Sequence, residues 1–220
     1  MGMRGDAILQ FDWSVGEILA ALDRQGLTDN TLIILSSDNG PVVDDGYEDE
    51  SETLLGDHNP WGPLRGGKYS AFEAGTRVPV IVSWPAKVAK KQVSDVLVSQ
   101  IDIFKSLASL VGSRLPKGAA PDSYDRLGNW LGTDKQDRPW ILEQSNTLSV
   151  RTKEWKYIDP NNGSKMVPWG VKNETGYSPM PQLYKMDQEG EVINVAETHP
   201  QKVFEMQALV KAIRERSAKL

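Results

Sequence analysis

The sequence has no cysteine and only two histidines, His58 and His199, in 220 residues. The missing thiols exclude disulfide bonds, thiolate metal centres and cysteine nucleophiles together. They suit a reducing or an oxidising compartment equally, so they do not locate the protein. Long apolar runs are also missing, and none approaches the roughly 18 residues that a membrane helix needs. The net charge of -5 gives no general attraction for nucleic acid or for an anionic membrane surface. What is present, 39% hydrophobic and 25% charged residues, is ordinary globular composition. The length suits one large domain, or one medium and one small.

The chain is organised around Thr31 to Gly40, TLIILSSDNG. Leu32, Ile33, Ile34 and Leu35 are apolar at consecutive positions, which predicts a strand buried on both faces of a sheet. Open α/β sheets hold their ligands just beyond the carboxyl ends of such strands. Asp38 and Asn39 occupy that address, and Gly40 lets the chain turn away. Alone, the triplet is also the composition of a plain turn. Before it, residues 5–25 predict an amphipathic helix with Ile8, Phe11, Val15, Ile18 and Leu22 on one face. Gly26 stands where a left-handed helix end is expected, followed by Leu27.

The stretch that follows is acidic, with Asp44, Asp45, Glu48, Asp49, Glu50, Glu52 and Asp57. It reads as a solvated loop, and its spacing does not fit an EF-hand. A loop this long after a site-bearing strand is nevertheless more often functional than idle. It leads through His58 and Trp61 into Arg65-Gly66-Gly67-Lys68. There a planar guanidinium fork and a compact ammonium flank two glycines, a pattern suited to close approach of an anion. Glu73 and Arg77, four apart, can pair across one helical turn before a second strand at Val78 to Trp84.

Asp102 can cap a helix whose Ile103, Phe104, Leu107, Leu110 and Val111 form an apolar stripe, expected in the core. Residues 116–138 are punctuated by Pro116, Gly118, Pro121, Gly128 and Gly132 and read as a connection. Beyond it, Trp140 to Glu143, Leu148 to Thr152, Trp155 to Ile158 and Leu183 to Met186 predict short antiparallel strands. A last helix buries Val203, Met206, Val210 and Ile213, with Lys211, Arg214, Arg216 and Lys219 near its negative end. The expected organisation is an α/β part over 1–115, a connection over 116–138, and a small α+β domain over 139–220.

The succession of SSDNG, a long loop, GPLRGGKYSAFEAGTRVPVIVSWPA, the helix SQIDIFKSLASLVG, then SVRTKEWKYI and LYKMDQEGEVINVAETHP resembles the C-terminal half of the type I sulfatases. These are the formylglycine-dependent arylsulfatases of the alkaline phosphatase superfamily. The resemblance implies the C-terminal part of a layered α/β domain, followed by a small antiparallel sheet packed on a C-terminal helix. It assigns Asp38 and Asn39 as metal ligands for Ca2+, with Mg2+ as the alternative; their hard oxygens suit either ion. It makes Lys68 the catalytic, sulfate-contacting lysine, puts Arg65 and His58 on the substrate side, and leaves Glu73 and Arg77 structural. Periplasmic or secreted localisation is an expectation from the family alone.

The chain also departs from the family pattern. The formylglycine arises from the Cys or Ser of a Cys/Ser-x-Pro/Ala-x-Arg motif, and no such motif stands in this sequence. Two further metal-binding carboxylates are absent as well. The expectation is therefore a fragment that begins mid-domain, inactive by itself, whose tip is half of a metal site. Its partners would be the N-terminal part of the enzyme and a sulfated small molecule or glycan, without nucleic acid or membrane. Two alternatives stay open. One is a phosphoester or phosphonate hydrolase of the same superfamily; the other is a noncatalytic module that binds sulfated glycans, suggested by seven tryptophans, with Trp61 beside the RGGK turn.

Overall fold

A computed structural model describes residues 2–168, 173–187 and 191–217; Lys219 lies outside them. The chain divides into two compact units. The first comprises residues 1–86, 160–179 and 189–191, and the second residues 87–159, 180–188 and 192–220.

The first unit opens with α1, Gly2–Arg24. Its end is closed as the sequence predicts. Gly26 adopts φ +67°, its N–H bonds to Asp23 O at 2.9 Å, and Leu27 N–H reaches Leu22 O at 2.9 Å. Strand β1, Ile33–Ser36, pairs antiparallel with β2, Val80–Ser83, in the register Ile33↔Ser83 to Ser36↔Val80. The expectation of a strand buried on both faces is corrected here. β1 is half-buried along its length, Val80 and Ile81 are exposed, and α1 buries none of its residues. An uninterrupted apolar run needs cover on both sides, and two antiparallel strands do not supply it within the described residues.

Between these strands lies α2, Glu73–Thr76, a single turn whose Glu73, Ala74 and Gly75 are buried. Val43, Ala71 and Phe72 of this unit are buried as well. The acidic loop is more ordered than a solvated run. Ser51 is buried and donates its hydroxyl to Val43 O, while Asp44 and Asp49 accept N–H bonds from Gly46 (2.8 Å) and Ser51 (3.0 Å).

The second unit carries α3 (Ile103–Leu110), α4 (Leu127–Trp130), β3 (Ile141–Gln144), β4 (Leu148–Arg151), β5 (Trp155–Ile158), β6 (Gln182–Lys185) and α5 (Pro200–Ser217). The four strands form an antiparallel sheet in sequence order. Val150, Tyr157 and Leu183 of the sheet meet Val203, Met206, Val210 and Ile213 of α5 in one core, the helix face the periodicity predicts. The residue 87–115 helix region belongs to this unit, and so do residues 116–138, expected as a connection.

Asp102 and Arg138 tie that region together, both fully buried. Asp102 accepts N–H bonds from Tyr124 at 2.8 Å and Ser99 at 3.2 Å and pairs with Arg138, which also donates to Trp140 O and Asp122 O. This polar hub, with Ser106, is what α3 buries. Its apolar stripe is not core in this chain, since Phe104, Leu107 and Val111 are exposed.

Candidate functional site

The tip of β1 is laced by backbone to the segment carrying Lys68. Gly40 N–H bonds to Gly75 O, and Lys68 N–H to Pro41 O, each at 2.9 Å. Ala74 N–H reaches Arg65 O at 2.9 Å and Ser70 N–H reaches Gly67 O at 3.0 Å. The DNG turn, the RGGK turn and α2 thus form one knot. Gly40 is required for space and not for a special dihedral. A Cβ there would fall on the Ala74 carbonyl oxygen and lie 2.7 Å from its carbon. A Cβ on Gly67 would strike the Trp61 indole nitrogen and lie 2.9 Å from Pro41 O.

On this knot Asp38 is exposed and Asn39 half-buried. Asp38 Oδ1 accepts the Asn39 N–H at 3.0 Å and the Ser37 hydroxyl at 3.4 Å. Asn39 Nδ2 donates to Gly40 O at 2.9 Å. Asp38 Oδ2 and Asn39 Oδ1 accept no hydrogen bond among the described residues. They are hard donors of the kind that Ca2+ or Mg2+ takes. By number they are a partial set, since Ca2+ takes about six to eight oxygens. Among the described residues no three His, Asp or Glu side chains gather at a metal-binding distance.

Lys68 points to a partner that the sequence did not single out. Its Nζ donates to Asp45 Oδ2 at 2.6 Å, and the neighbouring Tyr69 hydroxyl donates to Asp45 Oδ1 at 2.5 Å. Both carboxylate oxygens are therefore engaged. Tyr69 sits at φ +75°, a left-handed conformation costing a non-glycine residue about 1–3 kcal/mol. Hydrogen bonding from Lys68, then from Tyr69, holds the Asp45 carboxyl below its ordinary range. The same contact with Asp45 raises Lys68 and Tyr69. Asn173, buried, donates to Lys68 O at 2.6 Å and fixes the backbone beneath it.

Arg65 is held differently. Its Nε and Nη2 form a two-pronged contact with Glu174 at 2.6 Å each, Nη1 donates to Glu191 O at 3.0 Å, and the guanidinium lies 4.0 Å over the Phe72 ring. The guanidinium is thus held in a fork by Glu174 and the Glu191 carbonyl, which fixes its orientation. That fork also draws the Glu174 carboxyl downward. The Glu191 carboxylate accepts the Glu73 N–H at 2.6 Å. Glu73 and Arg77 lie 3.9 Å apart, the spacing their sequence positions predict. His58 is exposed, on a turn closed by its own N–H to Leu55 O at 3.3 Å.

Backbone hydrogen bonds therefore join the turns carrying Asp38, Asn39, Arg65 and Lys68, while His58 stands on an exposed turn. Asp45, Tyr69, Asn173 and Glu174 were missed because their partners are distant in sequence. Asp45 was one of seven acids in its loop, with nothing to mark it.

Residues 1–113 match the family model described as Sulfatase. Over 219 residues, 98% of the chain, the sequence is 49% identical to an N-acetylgalactosamine-6-O-sulfatase of Bacteroides thetaiotaomicron, covering 42% of that protein. It is 39% identical over 166 residues to the steryl-sulfatase of Rattus norvegicus, 75% of this chain and 27% of that one. A solved structure from work on glycosaminoglycan metabolism by Bacteroides thetaiotaomicron superposes with a TM-score of 0.92 at 49% identity, covering 97% of this chain and 45% of its own. The PsFucS1 sulfatase of Pseudoalteromonas sp. gives a TM-score of 0.72 at 25% identity, covering 96% and 42%. The chain spans less than half the length of each of these relatives.

Proposed function

Because the chain belongs to the sulfatase family, we propose that it supplies two metal ligands, Asp38 and Asn39, and a sulfate-binding lysine, Lys68, to hydrolysis of a sulfate ester. The observation that carries this reading is the Lys68 N–H to Pro41 O bond at 2.9 Å, which ties the lysine's backbone to the strand tip holding both oxygen ligands. The nucleophile of the reaction, a formylglycine, comes from a residue outside this sequence. When bound, Ca2+ or Mg2+ would supply Lewis-acid polarisation of the sulfate oxygens.

Asp38 offers its outer oxygen and Asn39 its amide oxygen to that ion, both oriented by the turn's own hydrogen bonds. Lys68 presents its ammonium to the sulfate. At about 4 Å and an effective dielectric near 20, such a pair is worth about 4 kcal/mol. The gain matters most as negative charge develops on the leaving oxygen. His58 is proposed as an outer substrate contact. Arg65, clasped by Glu174, is proposed to act on the substrate side mainly by holding the RGGK turn in shape. The fold reading is likewise proposed at its finer level, as part of an alkaline-phosphatase-like core with a small C-terminal domain.

For the substrate we propose a 6-O-sulfated N-acetylgalactosamine within a glycosaminoglycan, on the strength of 49% identity across 98% of the chain to a sulfatase with that name. In the full-length protein, Lys68→Ala and Asp38→Ala should each lower turnover of this sulfate ester by about 100-fold or more. Near-normal rates in both variants would remove these assignments. A phosphate monoester turned over faster than the sulfate ester would move the protein to phosphoester chemistry. The 220-residue chain alone, with no nucleophile motif, should hydrolyse neither.

A further inference from the structure

The clasp of Asp45 on Lys68 places a negative charge directly beside the lysine. Asp45 comes from the acidic loop, far from the RGGK turn in sequence, and both its oxygens are used, by Lys68 at 2.6 Å and Tyr69 at 2.5 Å. Lys68 has three ammonium donors and gives one to Asp45. The Tyr69 left-handed backbone at φ +75° lets adjacent residues converge on one carboxylate, and Lys68 Nζ lies 5.2 Å from the Tyr69 ring centre. The two side chains are partly exposed, 27% for Lys68 and 24% for Asp45, so a dissolved anion can reach the clasp.

We propose that Asp45 is a specificity-determining residue that weakens the hold of Lys68 on dianions relative to monoanions. The proposal rests on the reading of Lys68 as the sulfate contact. Hydrolysis of a sulfate monoester takes a monoanion and water to an alcohol, a proton and inorganic sulfate, a dianion. A carboxylate fixed behind the lysine repels the product twice as strongly as the substrate, because Coulomb energy scales with charge. An anion oxygen bonded to Lys68 opposite Asp45 lies about 5–6 Å from that carboxylate, and even at bulk-water dielectric its charge weakens a monoanion about threefold and a dianion about tenfold. Asp45 thereby favours release of product sulfate while keeping the lysine oriented.

The test is calorimetric binding of sodium sulfate and of methyl sulfate at pH 8 to the full-length protein. Asp45→Asn keeps a hydrogen-bond acceptor for Lys68 and removes the charge. It should tighten inorganic sulfate about tenfold and methyl sulfate about threefold. Tyr69→Phe, which removes a bond and no charge, should leave the ratio of the two affinities unchanged. If Asp45→Asn does not fold, Asp45→Ser carries the same expectation. Equal changes in the two affinities, no change, or weaker binding of both would overturn the proposal. Lys68→Ala separates the two levels. If it loses both anions while Asp45→Asn leaves the ratio unmoved, only the role of Asp45 fails. If it binds both as the wild type does, the reading of Lys68 itself fails.

Discussion

Replacing Gly40 by alanine probes the contact that sets the strand tip against the RGGK turn. The added methyl would land on Ala74 O, 2.7 Å from Ala74 C and 3.0 Å from Gly75 Cα. All three are backbone atoms of the buried α2 turn, so no side-chain rotation relieves the clash. Separating the strands of backbone breaks the 2.9 Å Gly40 N–H to Gly75 O bond. Overpacking costs about 1–3 kcal/mol, and a buried donor left unpaired about 1–3 kcal/mol more. A loss of about 2–6 kcal/mol is a large part of the 5–15 kcal/mol typical of a folded domain. A displacement that absorbs the clash shifts the turn carrying Asp38 and Asn39 relative to α2 and the RGGK segment bonded to it. Thermal denaturation and calorimetric Ca2+ titration of the full-length protein should therefore both change, with a lower melting temperature and weaker metal binding. A Tm within about 1 °C of wild type together with unchanged Ca2+ affinity would refute the reasoning.

Arg138→Met should cost about 3–5 kcal/mol by urea denaturation, because it strands the fully buried Asp102 carboxylate. A loss below about 1 kcal/mol would mean that water reaches Asp102. Leu183→Ala, at a fully buried position between the sheet and α5, should cost about 2–5 kcal/mol. For pH, the Asp45 and Glu174 carboxyls are depressed on folding, so their stabilisation is full above their ordinary values of 3.8 and 4.5 and is lost as pH falls through the folded values. Lys68 is raised, so its share is full below 10.5 and fades only as pH rises beyond that. Urea midpoints measured from pH 3 to 8 should fall on the acid side, and Asp45→Asn should flatten that fall. Glu174→Gln should cost about 1 kcal/mol or less in stability, because the Arg65 pair is partly exposed.

Much of the second unit could be read directly. Four β-rich runs separated by turn residues gave an antiparallel sheet, and the spacing of Val203, Met206, Val210 and Ile213 gave the helix face that covers it. Such patterns are legible because each depends on neighbours a few positions away. The same logic misled at α3 and β1. Phe104 and Leu107 have the spacing of a core face and the strand run is apolar at every position, but such patterns report only that a surface is apolar and not what covers it. The pairing direction of β1 with β2 was equally hidden, since consecutive apolar residues do not distinguish a parallel neighbour from an antiparallel one.

At the site the division is similar. The sequence alone determined which chemistry was on hand. It supplied hard oxygens at Asp38 and Asn39 behind a strand, cations at Arg65 and Lys68 around two glycines, and no thiol anywhere. Those are properties of residue type and local spacing. Only the tertiary structure decided how the groups are used. It joined the two turns through Pro41 O, gave Arg65 to Glu174, and gave Lys68 to Asp45. An ion pair is chosen by distance in space, falling off within a few ångströms, and seven acids in one loop look alike until the backbone brings one of them to 2.6 Å.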